Sequence, residues 1–179
     1  MRKKSTLKYE IFSLTFVIVL GIILHFTYDW SGQNLFVGSF SAVNESTWEH
    51  LKLIFFPTFI TIIIGCFYNK NVIEKYLFSK TTGLIYSLIF TVVFFYTYSG
   101  ILGYTITFVD ILSFFVAVLL GELISIKTFI FSNEDDYKIS IVTLLVLLLS
   151  FITFTYFPPK INLFKDPITE TYGAFRIQK

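Results

Sequence analysis

Five side chains in this sequence have the types and spacing to do chemistry. His25 and Asp29 stand four residues apart, which places them on the same face of a helix. Glu49 and His50 are adjacent at the start of another apolar stretch, and Asp110 lies within a third. Imidazole and carboxylate are ligands of zinc and other divalent ions. The residues predict a metal site built from His25, His50 and a carboxylate, Asp29 or else Glu49 or Asp110. A remaining carboxylate, Glu49 or Asp110 if Asp29 is the ligand, would be a general base acting on metal-bound water.

The same residues also fit purely structural roles. Ser46-Thr47-Trp48-Glu49 matches a helix capping box, in which Glu49 reaches back to a free backbone amide. Asp110 can have a purely structural role, in which a buried hydrogen bond joins two helices. His25 and Asp29 can lie at the membrane interface and meet water or headgroups. Because no H-E-x-x-H motif is present, the sequence leaves the metal site and these structural roles open.

The elements that must position these residues are membrane-spanning helices. Of the residues, 55% are hydrophobic and 15% charged, against about 45–50% and 25% in soluble domains. Uncharged runs of about 18 residues or more predict spanning helices, since the backbone must satisfy its own hydrogen bonds in lipid. The sequence therefore predicts an all-α polytopic protein with five transmembrane helices, at about 9–28, 47–68, 82–98, 105–126 and 138–157.

The distribution of basic residues orients these helices. Lysine and arginine collect before the first helix, between the second and third, and between the fourth and fifth. Since such residues favour the cytoplasmic side, we expect a cytoplasmic N-terminus and a location in the cytoplasmic membrane. Residues 1–157 form the transmembrane domain in this interpretation. Residues 158–179 form a tail on the outer surface. It lies next to a polar cluster formed by His25, Asp29, Glu45, Glu49, His50, Lys52 and Asp110.

Composition excludes several functional classes. The net charge is +2 without a basic stripe, so the sequence does not indicate nucleic-acid binding. The single cysteine, Cys66, cannot form an intramolecular disulfide, and it is expected to pack as a small hydrophobic residue. The absence of an internal repeat weighs against a transporter.

One stretch resembles the signature of a known family. Residues 44–52 read N-E-S-T-W-E-H-L-K, followed by Phe55-Phe56-Pro57. This pattern resembles the N-E-S-x-W-E-H-x-K signature of a domain-of-unknown-function family of small bacterial multi-pass membrane proteins. The resemblance extends to residues 25–32 and to Asp166-Pro167-Ile168-Thr169 with Tyr172-Gly173. It implies a multi-pass membrane protein and brings no activity, substrate or cofactor.

Three functional hypotheses follow. The first is a non-catalytic binding or accessory protein whose polar cluster meets a lipid headgroup, a small solute or a membrane-protein partner. The second is a metal-dependent hydrolase that uses the cluster with a divalent ion such as zinc. The third is a small transporter or channel. The sequence does not decide whether the protein is an enzyme.

Overall fold

Apart from an isolated β-bridge between Lys165 and Tyr172, the regular secondary structure of the described residues is helical. This computed structural model describes residues 2–131 and 137–174, and side chains from residue 8 onward. The helices, numbered in chain order, are α1 Arg2–Trp30, α2 Leu35–Gly38, α3 Thr47–Tyr68, α4 Ile73–Leu102, α5 Thr107–Phe131 and α6 Tyr137–Tyr156. Two short 3-10 helices occupy Lys70–Val72 and Asn162–Phe164.

The prediction of five spanning helices is confirmed. Five of the helices, all but the four-residue α2, are long and apolar enough to cross a membrane. The third predicted helix is longer than expected, because α4 begins at Ile73 rather than near Thr82. Lys75 and Lys80, which the sequence suggested were loop residues, therefore lie in the first turns of α4. Lys80 can be buried there because two carboxylates pair with it.

Local sequence explains where the central helices begin and end. The Ser46 side chain accepts a hydrogen bond from the Glu49 amide and caps α3. Gly103 ends α4 in the left-handed conformation, with φ of 79°, and its amide donates to the Ser99 carbonyl at 2.8 Å. Glycine adopts this conformation without a steric penalty, so the expected break between the third and fourth spans falls at this residue.

Helix α3 is the centre of the bundle. Over half of its most apolar window is buried, compared with 17–28% in the other spans. Phe55 and Phe151 are fully buried and pack ring to ring, joining α3 to α6. The outward faces of the other helices carry large apolar side chains, which suit contact with lipid tails.

The two ends of the bundle differ in what covers them. The signature end holds the C-terminal end of α1 and the N-terminal end of α3, and the tail packs against it. Phe164 of the tail is buried against Trp48, with ring centroids 4.7 Å apart. The Ala174 amide donates to the Thr155 carbonyl at 2.9 Å, which fixes the end of the described tail to α6. Residues 175–179, including Arg176 and Lys179, lie outside the described residues.

Candidate functional site

Three side chains from separate segments meet at the signature end. His25 lies in the last turns of α1, Glu45 in the loop before α3, and His50 in the first turn of α3. The Ser46 cap sets the start of α3, and His50 follows it by four residues. The cap therefore places the imidazole of His50 directly beside the loop that carries Glu45.

The ligand atoms of this group, called the metal triad below, have the spacing of a coordination shell. The Nε2 atoms of His25 and His50 are 3.3 Å apart. The Glu45 Oε2 atom lies 3.4 Å from His50 Nε2 and 3.8 Å from His25 Nε2. The point in their plane that is equidistant from all three atoms lies about 2.0 Å from each, which is the usual Zn–N and Zn–O bond length.

The hydrogen bonding of His50 directs its Nε2 atom to the triad. His50 Nδ1 lies 3.1 Å from the Ser46 carbonyl oxygen, and since a carbonyl oxygen only accepts, Nδ1 carries a proton. In the metal-free protein Nε2 carries the proton that it donates to Glu45, and a metal ion that binds here displaces this proton. Metal-binding histidines are commonly oriented in this way by a backbone carbonyl.

The Glu45 carboxyl group is stabilised in its ionised form. Its side chain is 44% exposed in the loop, and its hydrogen bond with His50 lowers the pKa of the carboxyl below its ordinary value, although partial burial opposes this. The positive charges that His50 and His25 carry when protonated act in the same direction as the hydrogen bond. The carboxylate is therefore in the ionised form that a metal ion requires.

A cleft of about 270 Å³ adjoins the triad. Three carboxylate residues line it, namely Asp29, Glu45 and Asp166, together with His25. Asp166 comes from the tail, where it is almost fully buried and accepts hydrogen bonds from the Ile168 amide and the Thr169 hydroxyl. The tail therefore forms one wall of the cleft, and two of the triad residues face into it.

The remaining residues of the signature build the support for the triad. The Asn44 side chain accepts from the Ser46 amide at 2.9 Å and donates to the Gly173 carbonyl at 3.2 Å. Trp48 packs between the Phe151 and Phe164 rings. Asn44, Ser46 and Trp48 of the pattern therefore each have a contact at this end of the bundle.

Sequence comparison identifies the family of this chain. The profile of the family DUF6512, described as a family of unknown function, matches residues 1–174. The chain belongs to DUF6512. No curated protein and no solved structure matches it. Family membership confirms the resemblance stated from residues 44–52, and the five spans make this DUF6512 member a multi-pass membrane protein.

The structure places Asp29 beside the triad rather than in it. Asp29 lines the cleft, while the carboxylate that meets both histidines in this DUF6512 chain belongs to Glu45. The i, i+4 spacing puts Asp29 on the face of His25, but one turn further along α1. The signal for Glu45 was its position immediately before the Ser46 cap and five residues before His50.

Glu49 points away from the triad into the protein interior. Its Oε2 atom lies 2.5 Å from Lys52 Nζ and accepts the Val43 amide at 3.0 Å. Lys52 is fully buried and also donates to the Gly38 carbonyl and the Thr155 hydroxyl, each at 2.8 Å. These contacts give Glu49 a structural role, though not the reciprocal capping contact that the sequence suggested.

Asp110 is also engaged elsewhere. Its carboxylate accepts a hydrogen bond from the Tyr98 hydroxyl, and it is not a member of the triad. Tyr98 in turn accepts the Ile106 amide at 3.3 Å, across the turn between α4 and α5. The expected convergence of Asp110 with the two histidines is therefore not found, and its contacts join α4 to α5.

Proposed function

We propose that this DUF6512 protein binds a divalent transition-metal ion, zinc being the best fit, through His25, Glu45 and His50. The observation that carries the proposal is the spacing of the three ligand atoms, 3.3–3.8 Å pairwise around one common point. Two imidazoles and one carboxylate are a donor set that suits zinc better than magnesium or calcium.

The proposed role is binding, at the outer face of the cytoplasmic membrane. Lys70, Lys75 and Lys127 lie toward the opposite end of the bundle, and lysine-rich ends favour the cytoplasm. The triad then meets metal ions, lipid headgroups or a protein partner from outside the cell. The adjoining acidic cleft attracts cations toward the triad.

Metal content tests this proposal. Detergent-purified protein is dialysed against zinc, freed of excess metal and assayed for bound ion. Wild type is expected to hold one zinc per chain, while His50→Ala and Glu45→Gln lose it. Asp29→Asn is the matched control, because it removes a carboxylate from the same cleft and is expected to retain zinc.

Two results would contradict the proposal. Equal zinc in wild type, His50→Ala and Glu45→Gln would show that the triad does not bind it. Loss of zinc in Asp29→Asn with retention in Glu45→Gln would make Asp29 the carboxylate ligand instead, as the sequence first suggested.

The cleft favours a second candidate function, metal-dependent hydrolysis. Catalytic zinc sites have three protein ligands and leave one position open, and the triad adjoins a cleft large enough for a small substrate. Asp29 lines that cleft and is the candidate general base. If this function holds, zinc-loaded wild type hydrolyses p-nitrophenyl acetate, and Asp29→Asn hydrolyses it more slowly with its zinc intact. Equal rates in the two would remove this candidate.

A further inference from the structure

A second cluster of charged side chains lies near the opposite end of the bundle. The Lys80 ammonium of α4 contacts Glu10 of α1 and Glu122 of α5, the latter at 2.7 Å. Lys80 is 4% exposed, and the two glutamate side chains are 13% and 15% exposed. Glu10 stands fifteen residues before His25 on α1, a separation of about 22 Å along the helix axis, so this cluster is distinct from the metal triad.

The charges of this cluster do not balance. Two carboxylates share one ammonium, and among the side chains that the structure describes no other lysine or arginine pairs with either of them. The buried pair at the signature end, Glu49 with Lys52, is by contrast one to one. A net charge buried between helices is costly, and proteins avoid that cost by neutralising one of the groups.

Among the side chains described, the neighbours of the cluster carry no compensating positive charge. The titratable side chains around the cluster are Tyr9 of α1, Tyr76 of α4 and Cys66 of α3. Both tyrosine hydroxyls donate to the Thr61 carbonyl. None of the three is a cation in any protonation state, so they cannot offset the second carboxylate.

The two carboxyl groups are also placed to share a proton. Glu10 and Glu122 each place a carboxylate oxygen against the same Lys80 ammonium, so the two carboxyl groups are neighbours. Two ionised carboxylates cannot hydrogen-bond to each other, because each can only accept, whereas a carboxylic acid donates to a carboxylate.

A small cavity lies beside the cluster. It measures about 20 Å³, and its lining includes Lys80, Glu122, Ser13, Ser87 and Ser125. A cavity of this size with several polar partners holds about one water molecule. Such a water can carry a proton to or from Glu122.

We infer that Glu10, Lys80 and Glu122 form a binding site for one proton, held between the two carboxyl groups at neutral pH. Protonated, the cluster is electrically neutral. Loss of the proton leaves one negative charge in the bundle. The ligand of this second site is therefore a proton, and the inference does not depend on metal binding at the triad.

Infrared spectroscopy of the purified full-length protein tests this inference. The carbonyl stretch of a protonated carboxylic acid is recorded in heavy water at neutral pH, with and without ¹³C-labelled glutamate. Wild type is expected to show a band that shifts with the label, which identifies a glutamic acid. Glu122→Gln and Glu10→Gln are each expected to lose it, because the remaining glutamate then pairs one to one with Lys80.

Glu45→Gln is the control and is expected to keep the band. The inference is overturned if folded wild type shows no label-sensitive band at neutral pH. It is also overturned if the band survives in both cluster variants, or if sodium ions at neutral pH abolish it, since the site would then take a metal cation. Because the first of these results comes from wild type, the test does not rest on the variants folding.

Discussion

Glu45 is the residue of the metal triad whose ionisation links the site to pH. In the folded protein its pKa lies below the ordinary glutamate value, chiefly because of the hydrogen bond with His50. A carboxyl with a lowered folded pKa contributes stability above its unfolded pKa, about 4.3, and that contribution is lost as pH falls through the folded value. Metal-free wild type is therefore expected to lose thermal stability below about pH 4.3.

The Glu45→Gln variant isolates this contribution. It is expected to show a shallower acid decline than wild type, measured by the melting temperature in detergent across the acidic range. The effect is small because the side chain is 44% exposed. An identical decline in wild type and Glu45→Gln would contradict the interaction between Glu45 and His50.

Breaking the buried pair of Lys52 and Glu49 is expected to lower the stability of the protein more than Glu45→Gln does. Lys52→Met leaves the Glu49 carboxylate buried without its cation, and such a loss costs about 3–5 kcal/mol. The double variant Glu49→Gln/Lys52→Met removes both charges and is expected to be more stable than Lys52→Met alone. Denaturant unfolding in mixed micelles measures both, and a double variant no more stable than the single one would contradict the pairing.

At the scale of elements, the contact between α4 and α5 depends on glycine. A Cβ atom at Gly83 would lie 2.3 Å from the Gly121 carbonyl oxygen, so the two helix backbones approach too closely for a side chain. Small residues permit such close packing in membranes. Gly83→Ala is expected to destabilise the protein by about 1–3 kcal/mol, the usual cost of overpacking.

Gly100 on the same helix provides the matched control. Nothing lies within 4 Å of a Cβ atom built there, so Gly100→Ala is expected to leave stability unchanged or to raise it slightly. Equal effects of the two substitutions in micelle unfolding would contradict the close approach at Gly83.

The helices themselves were largely predictable because uncharged runs of spanning length leave few alternatives in lipid. The start of α4 was not predictable, because charged residues such as Lys75 and Lys80 are typical of loops between spanning helices. The partners that allow Lys80 to be buried are Glu10 and Glu122, 70 residues before it and 42 residues after it. Only the packing of α1, α4 and α5 brings them together.

The site was predictable only in part, because the order of the helices brings some of its residues together and the loop and tail bring others. The two histidines were expected to meet, and they do, since both lie at the signature end. The choice among carboxylates could not be made from spacing, because the Glu45 loop position depends on the cap and the tail. The sequence made Glu49 a candidate general base. In the structure, its ion pair with Lys52 and its hydrogen bond from the Val43 amide hold it in the protein interior instead.

At the scale of the whole molecule, the proposed orientation places the signature end and the tail outside the cell. In a Cys66→Ser background, Lys160→Cys lies in the tail and Asn71→Cys lies between α3 and α4, both at exposed positions. A membrane-impermeant maleimide is expected to label Lys160→Cys on intact cells, and Asn71→Cys only after permeabilisation. The reverse pattern would contradict the orientation drawn from the lysine distribution.

The most direct test of metal binding is X-ray absorption spectroscopy at the zinc edge of the zinc-loaded protein. The triad predicts a first shell of nitrogen and oxygen at about 2.0 Å, with the outer-shell scattering of two imidazole rings. A sulfur neighbour at about 2.3 Å, which would implicate Cys66, or a shell without imidazole scattering would contradict it.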